Sequence, residues 1–326
     1  SLEYCDLELS DAFRIIHNNK FPELKLLNLS YNNSSKPIDE QVTIPSTIER
    51  IDISHVKFTN GTMKTILEFI LSSQYDHGLK FYCDKFYVKQ SEQIDEALSS
   101  FENLQFNSLI EFSWRKNKIT KEVFDFLGRN KSLKKLMLDS NIVTNDETNT
   151  VPLFSEACSN LTSLTHLYIN GNKKANFSSS FNDVLNALKK LPVLEFLDIS
   201  KNYIGDEGFD QLSSSLNELP SLTHIVFDTN KPKTIQSIHN FILASNQLHR
   251  TIHVSYPQHD IESLLKKKKI DDDGVENVKN AINSLLIDVN TIAMPPAPKL
   301  TPTSFDDSNS KSKKSSRFAS KRNSIR

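Results

Sequence analysis

A nine-residue pattern, L-x-x-L-x-L-x-x-N, returns along this chain and narrows the folds open to it more than any other feature. In its clearest copy Leu194, Leu197, Ile199 and Asn202 hold the four fixed places. Strand side chains alternate between faces, so Leu197 and Ile199 share one side of a short strand. The Asn amide suits backbone groups left unpaired where the chain leaves that strand. After the turn at 205–208, Phe209, Leu212, Leu216 and Leu219 fall three or four apart, the apolar stripe of an amphipathic helix. A strand and a helix this short cannot bury their apolar faces alone, so the unit needs copies of itself alongside.

Those copies are present. Starts at 109, 133, 164, 194 and 222 give spacings of 24, 31, 30 and 28 residues, long enough for a helix on the outer side. Before them stand Leu24, Leu27, Leu29 with Asn32, and Ile48, Ile51, Ile53 with Val56 in place of the Asn. The first copy is the poorest, with Tyr4, Leu7 and Leu9 leading into a helix through Phe13 and Ile16. The fourth is degenerate: Phe81 and Cys83 point inward, or, one residue out of step, Leu79 and Tyr82 do. Its helix is placed on Ile94, Ala97, Leu98 and Phe101. A last strand, 251–256, turns Ile252 and Val254 inward. The pattern predicts an α/β fold: a right-handed leucine-rich repeat solenoid, or horseshoe, with a parallel concave sheet and convex helices over 1–256. Two apolar helical stretches, broken at Asp271-Asp272-Asp273-Gly274, form a helical C-terminal cap over 257–292 that covers the open sheet edge. A basic Pro/Ser/Lys-rich tail over 293–326 is too polar to fold.

Composition excludes several function classes. Only 7 glycines occur in 326 residues, and there is no GxSxG, HExxH or GxxxxGK[ST], so neither a catalytic site nor a cofactor is expected. The triple Asp lacks the alternating ligands of a calcium loop and reads as a helix N-cap. Cys5, Cys83 and Cys158 are odd in number and widely spaced, which points to a reducing, intracellular compartment. Ser1 is not a start methionine, so a preceding segment stays open. The tail holds eight Lys/Arg against two Asp; with a net charge of −1 overall, this leaves 1–292 at −7. Ser320 and Ser324 lie in basic contexts that suit kinases, and the tail suits weak contact with anionic membrane. Nucleic acid has no motif to support it.

The third, fifth and seventh strand positions face the concave side. Met137, Tyr168, Phe196 and Val226 are expected there as an exposed apolar cluster bordered by Asp139, Asp198 and Asp228. His166 and His224 flank Phe196, about 10 Å apart by strand spacing and too far apart to share a zinc. A contiguous exposed patch of this kind marks a protein partner. Reversing the three aspartates together is expected to weaken that partner without unfolding the chain.

The run Leu194 to Lys201 followed by N-x-I-G-D-E-G, with repeats near 28 to 31 residues, resembles the ribonuclease-inhibitor-like class of leucine-rich repeats. Uneven repeat lengths, a helical cap and a basic Pro-rich end look most like the CARMIL regulators of actin and capping protein. The resemblance implies a non-enzymatic cytoplasmic scaffold at the cytoskeleton or cell cortex. The Arg-Pro-Lys core of that family's capping-protein motif is not found in 293–326, so no residue role carries over. A Ran-type GTPase-activating protein, acting on a small GTPase, is the alternative.

Overall fold

The computed structural model describes residues 1–17, 21–59, 61–88, 98–102, 108–142, 149–267 and 269–282. The expected helix residues Ile94 and Ala97, the cap beyond 282, and the tail with Ser320 and Ser324 lie outside them. Nine strands form one parallel sheet: β1 (Leu26–Asn28), β3 (Arg50–Asp52), β5 (Leu79–Tyr82), β7 (Leu109–Ser113), β8 (Lys135–Met137), β9 (His166–Tyr168), β10 (Phe196–Asp198), β11 (His224–Val226) and β12 (His253–Val254). Neighbours in space are neighbours in sequence order. Leu167, Leu197 and Ile225 stand opposite one another on β9, β10 and β11, so the chain is the expected leucine-rich repeat solenoid.

Helices back the sheet at Thr62–Ser72, Lys121–Arg129, Val151–Cys158, Phe181–Leu188, Gly205–Ser215 and Ile235–Asn246. Each turns its apolar stripe to the strands. Phe209 of one helix meets Phe227 of β11's repeat edge to face at 5.5 Å, and Phe227 meets Phe241 of the next helix at 5.1 Å. A single core cluster runs from Leu9 to Val275, so no unit has a private interior. Such a stack gains its stability from the joints between units.

The Asn of each repeat makes one of those joints. Asn141 Nδ2 donates to the Trp114 carbonyl (2.7 Å) and its Oδ1 accepts the Lys116 N–H (2.8 Å), both in the preceding repeat. Asn117, Asn202 and Asn230 likewise donate to the previous repeat, at Cys83, Ile169 and Ile199. Asn172 departs from this: its Oδ1 accepts from Lys174 and Ala175 in its own loop. Asn202 Oδ1 is then buried without a partner among the described residues. Gly171 sits against it, where a Cβ would stand 2.5 Å from Asn202 Oδ1 and 2.6 Å from the Lys201 carbonyl oxygen.

Both ends differ from the expectation in detail. The first repeat has no strand in the sheet. Tyr4 and Asp6 take left-handed backbone (φ 55° and 51°), which interrupts an extended run, and Tyr4 lies 62% exposed rather than inward. Backbone N–H groups of Leu2 and Tyr4 still bond β1's repeat, at the Asn28 and Ser30 carbonyls. The fourth strand takes the register with Phe81 and Cys83 buried in the core, which sends Tyr82 to the opposite face. A small parallel sheet, β2 (Asn33–Ser34), β4 (Lys57–Phe58) and β6 (Tyr87–Val88), was not anticipated; it pairs the segments after the Asn turns of the early repeats.

At the far end, helices Gln258–Lys266 and Asp272–Ile282 follow β12. Asp271 Oδ1 accepts the Gly274 N–H at 2.9 Å, the N-cap that the triple Asp suggested. Asp260 stands where a further repeat would carry Asn, accepting the Asn230 N–H (2.7 Å) and the Lys231 N–H (2.9 Å).

Gly171→Ala is expected to lower stability by about 1–3 kcal/mol, the usual cost of forcing extra atoms into a packed site. Denaturant unfolding measures it. A variant as stable as the parent would show that the Asn172 loop yields freely.

Candidate binding surface

The sheet face away from the helices carries three columns of side chains, because in-register parallel pairing places equal positions side by side. The third-position column reads Leu26, Arg50, Lys80, Glu111, Lys135, His166, Phe196, His224 and His253. It is a basic and aromatic stripe with one carboxylate. Glu111 is tied down, accepting from Tyr82 Oη and pairing with Lys135 at 3.2 Å. The fifth-position column includes Tyr82, Ser113, Met137, Tyr168, Asp198 and Val226. The seventh runs through Asp84, Arg115, Asp139, Asn170, Ser200 and Asp228.

Met137, Tyr168 and Phe196 come together as expected, joined by Tyr82 and with Val226 packed at the edge. They are not exposed. Met137 is fully buried, Phe196 4% and Tyr168 6% accessible, which corrects the open apolar patch. Neighbours roof them: Lys135 Nζ lies 5.3 Å over the Tyr168 ring, Arg50 4.1 Å over Tyr82, and the His166 ring stacks on Phe196 at 5.6 Å. Long basic side chains cover apolar surface with their stems while their charges stay in water. The face therefore has its own small core under a polar, mostly cationic cover.

Asp139, Asp198 and Asp228 border that ridge, but each is engaged with the fold. Asp139 accepts the Asn170 N–H (3.1 Å), and Asp198 accepts the Ser200 N–H (2.9 Å). Asp228 accepts the His259 N–H (3.1 Å) and the His259 ring Nδ1–H, holding the start of the Gln258–Lys266 helix. Burial, with the Asp198 charge second, pushes Asp139 up to about 7 despite Arg115 nearby. Burial likewise raises Asp198 against the bonds from Ser200 and Asn170. Reversing all three would uncap a helix and strand buried backbone donors, so the expected clean loss of binding gives way to unfolding.

His166 and His224 flank Phe196 as expected, and His253, overlooked in the sequence, extends the ladder with its ring 5.0 Å from His224. Two identical devices set the first two rings. Thr165 Oγ1 donates to the Lys134 carbonyl (3.0 Å), leaving it to accept His166 Nδ1–H (2.9 Å). Thr223 Oγ1 does the same between the Glu195 carbonyl (3.2 Å) and His224 (2.8 Å). The neutral ring then keeps its Nε2 lone pair for a donor from outside. Burial lowers both histidines, with the Lys135 charge adding at His166 and His253 at His224. The signal was legible: Ser-Leu-Thr-His occurs at 163–166 and again at 221–224.

No protein-family model and no curated protein matches the chain. Among solved structures it is similar to TLR13 in a TLR13–ssRNA13 complex, at 16% identity and a TM-score of 0.45, over 72% of this chain and 36% of that one. The chain thus spans about a third of that protein's length. It is also similar to the leucine-rich repeat protein LegL7 of Legionella pneumophila (14%, 0.44, 82% of this chain and 97% of that one). An internalin, inlF, of Listeria monocytogenes matches at 12% and 0.27, over 79% and 93%. With each of these three scores below 0.5, the reading of the surface rests on this chain's own geometry.

A carboxyl whose folded pKa is raised contributes stability that is complete below its unfolded pKa and is lost as pH rises through the folded one. The contribution of Asp139 to the melting temperature should therefore fall between about pH 4 and about pH 7, against the opposite contribution of the depressed His166 and His224, and Asp139→Asn should remove that fall. A variant slope equal to the parent's would remove Asp139 from the account.

Proposed function

We propose that the chain is a non-enzymatic scaffold that takes a protein partner along the face of its nine-stranded sheet. One observation carries this. The third-position stripe offers Lys80, Lys135 and the Nε2 atoms of His166 and His224 beside a packed apolar ridge, on a sheet held in register over eight strand-to-strand joints. A rigid face with donors and acceptors fixed in advance binds with little ordering cost. The stripe's charge suits a partner that presents carboxylates, with Asp139, Asp198 and Asp228 serving mainly as its rear support.

Two finer readings compete. The resemblance to CARMIL proteins makes cortical actin machinery the first partner class to test, with a cytoplasmic site supported by three free cysteines. Basic tail contact with membrane, and phosphorylation at Ser320 and Ser324, belong to the same reading. Among the described residues no helix is long and apolar enough to cross a membrane. A GTPase activator would reach into its partner with a mobile polar or basic side chain. Arg115 is held by Asp84 at 2.6 Å and Arg50 lies over Tyr82, so the arginines of the face favour the scaffold.

The test pairs affinity capture with turnover. Lys80→Glu, His224→Glu and His253→Glu together should weaken the captured partner at least about tenfold, the scale of losing one buried charge contact, while the circular dichroism spectrum stays unchanged. Retained binding would move the partner off this face. Stimulated GTP hydrolysis by a small GTPase would replace the scaffold with the activator.

A further inference from the structure

The rim where the strands end is built differently from the face. The residue just before each repeat's Asn place has left-handed backbone at Tyr31, His55, Lys85, Lys116, Ser140, Lys201 and Thr229, with φ between 44° and 66°. Glycine or asparagine would adopt that conformation at less cost. Strained backbone retained with a large side chain is a reason to ask what the side chain does. In the early repeats the column is aromatic: Tyr4 stacks on Tyr31 at 3.9 Å and Tyr31 on His55 at 4.2 Å. Tyr4, Tyr31 and Tyr87 are all exposed. From the fourth repeat onward the column carries Lys85, Lys116 and Lys201, with Ser140, Gly171 and Thr229 at the other places, and the turns that follow add Lys173, Lys174 and Lys231; all six lysines are exposed. None of these six is in an ion pair among the described residues; Lys85 and Lys231 instead lie over the rings of Tyr87 and Tyr203.

The carboxylates of the same turns are occupied. Asp84 holds Arg115, Asp228 holds His259, and Asp206 accepts the Lys233 and Thr234 N–H groups. A body of net charge −7 over 1–292 thus presents, along one edge, six exposed lysines that make no ion pair among the described residues. At one strand per 4.8 Å the lysines span about 24 Å, with the tyrosines continuing the edge beyond them.

We propose that this rim docks on an anionic lipid bilayer, lysines against the headgroups and the tyrosine edges in the interfacial layer. Lysine rows are drawn to anionic leaflets, and tyrosine settles at the membrane interface. A single-stranded nucleic acid needs open ring faces for its bases. Here the faces are used by one another, which favours the bilayer. The inference rests on a different edge from the partner-binding face and stands apart from that reading.

Vesicle co-sedimentation of the full chain tests it, comparing phosphatidylcholine alone with phosphatidylcholine containing about a third phosphatidylserine. Binding should need the anionic lipid and fall steeply from ~0.05 M to ~0.3 M salt. Lys85→Glu, Lys116→Glu, Lys174→Glu and Lys201→Glu together should lower it roughly tenfold or more, with melting unchanged. A full chain with Lys313, Lys314, Arg317, Lys321 and Arg322 changed to Gln should keep most of its binding. If the fourfold variant does not fold, the Lys→Gln set at the same positions gives the same readout. Binding that survives rim reversal, that vanishes only with the tail changes, or that is equal on phosphatidylcholine alone overturns the proposal. Tighter rim-dependent binding to a single-stranded RNA oligomer than to vesicles assigns the rim to nucleic acid instead.

Discussion

Everything in this molecule depends on neighbouring repeats sharing what no repeat can supply alone. The parallel strands are two to five residues long, too short to hold a face by backbone pairing. Two things make up the difference. Apolar rows such as Leu136, Leu167, Leu197 and Ile225 are buried only because the next row covers them. The Asn amides then bond across the same joints, so registry is fixed by both packing and directed hydrogen bonds. A one-residue slip would turn the leucines to water and break the amide bonds together.

That registry turns a sequence period into surfaces. Equal positions form straight columns, and the columns differ in chemistry: basic and aromatic at the third, mainly apolar at the fifth, polar with three aspartates at the seventh. Adjacent columns support one another. The basic side chains of the third roof the apolar ridge, while the carboxylates of the seventh hold turns. What a side chain supports is therefore set by its column as much as by its residue type. A lysine on the face and a lysine on the rim do different work.

The repeat architecture was legible because leucine spacing and parallel pairing obey one period. Strand positions, inward residues, the helix break at Asp271 and the cap helices could all be read from it. The site was legible only in part. Position in the repeat placed Met137, Tyr168, Phe196 and the two histidines on one face. It could not say that Lys135, Arg50 and His166 would fold over them, because roofing depends on side-chain reach across neighbouring strands. The roles of Asp139, Asp198 and Asp228 escaped for a similar reason: an aspartate at a strand end looks the same whether it faces a partner or an amide. Tyr82 was obscured by the ambiguous fourth strand, and the missing first strand followed from backbone angles at Tyr4 and Asp6 that side-chain periodicity does not encode.

Asp260 gives the array a stop. An amide at that place could accept from the repeat before it and also donate into it, as Asn230 does toward Ile199. A carboxylate with both oxygens occupied by Asn230 and Lys231 has nothing to donate, so the joint is one-sided. Duplication of a unit can lengthen this protein anywhere upstream of that residue. Past it a further unit would have to join by its apolar row without a donated amide bond, as the array does at Val56, which makes 260 the place where directed bonding between units stops.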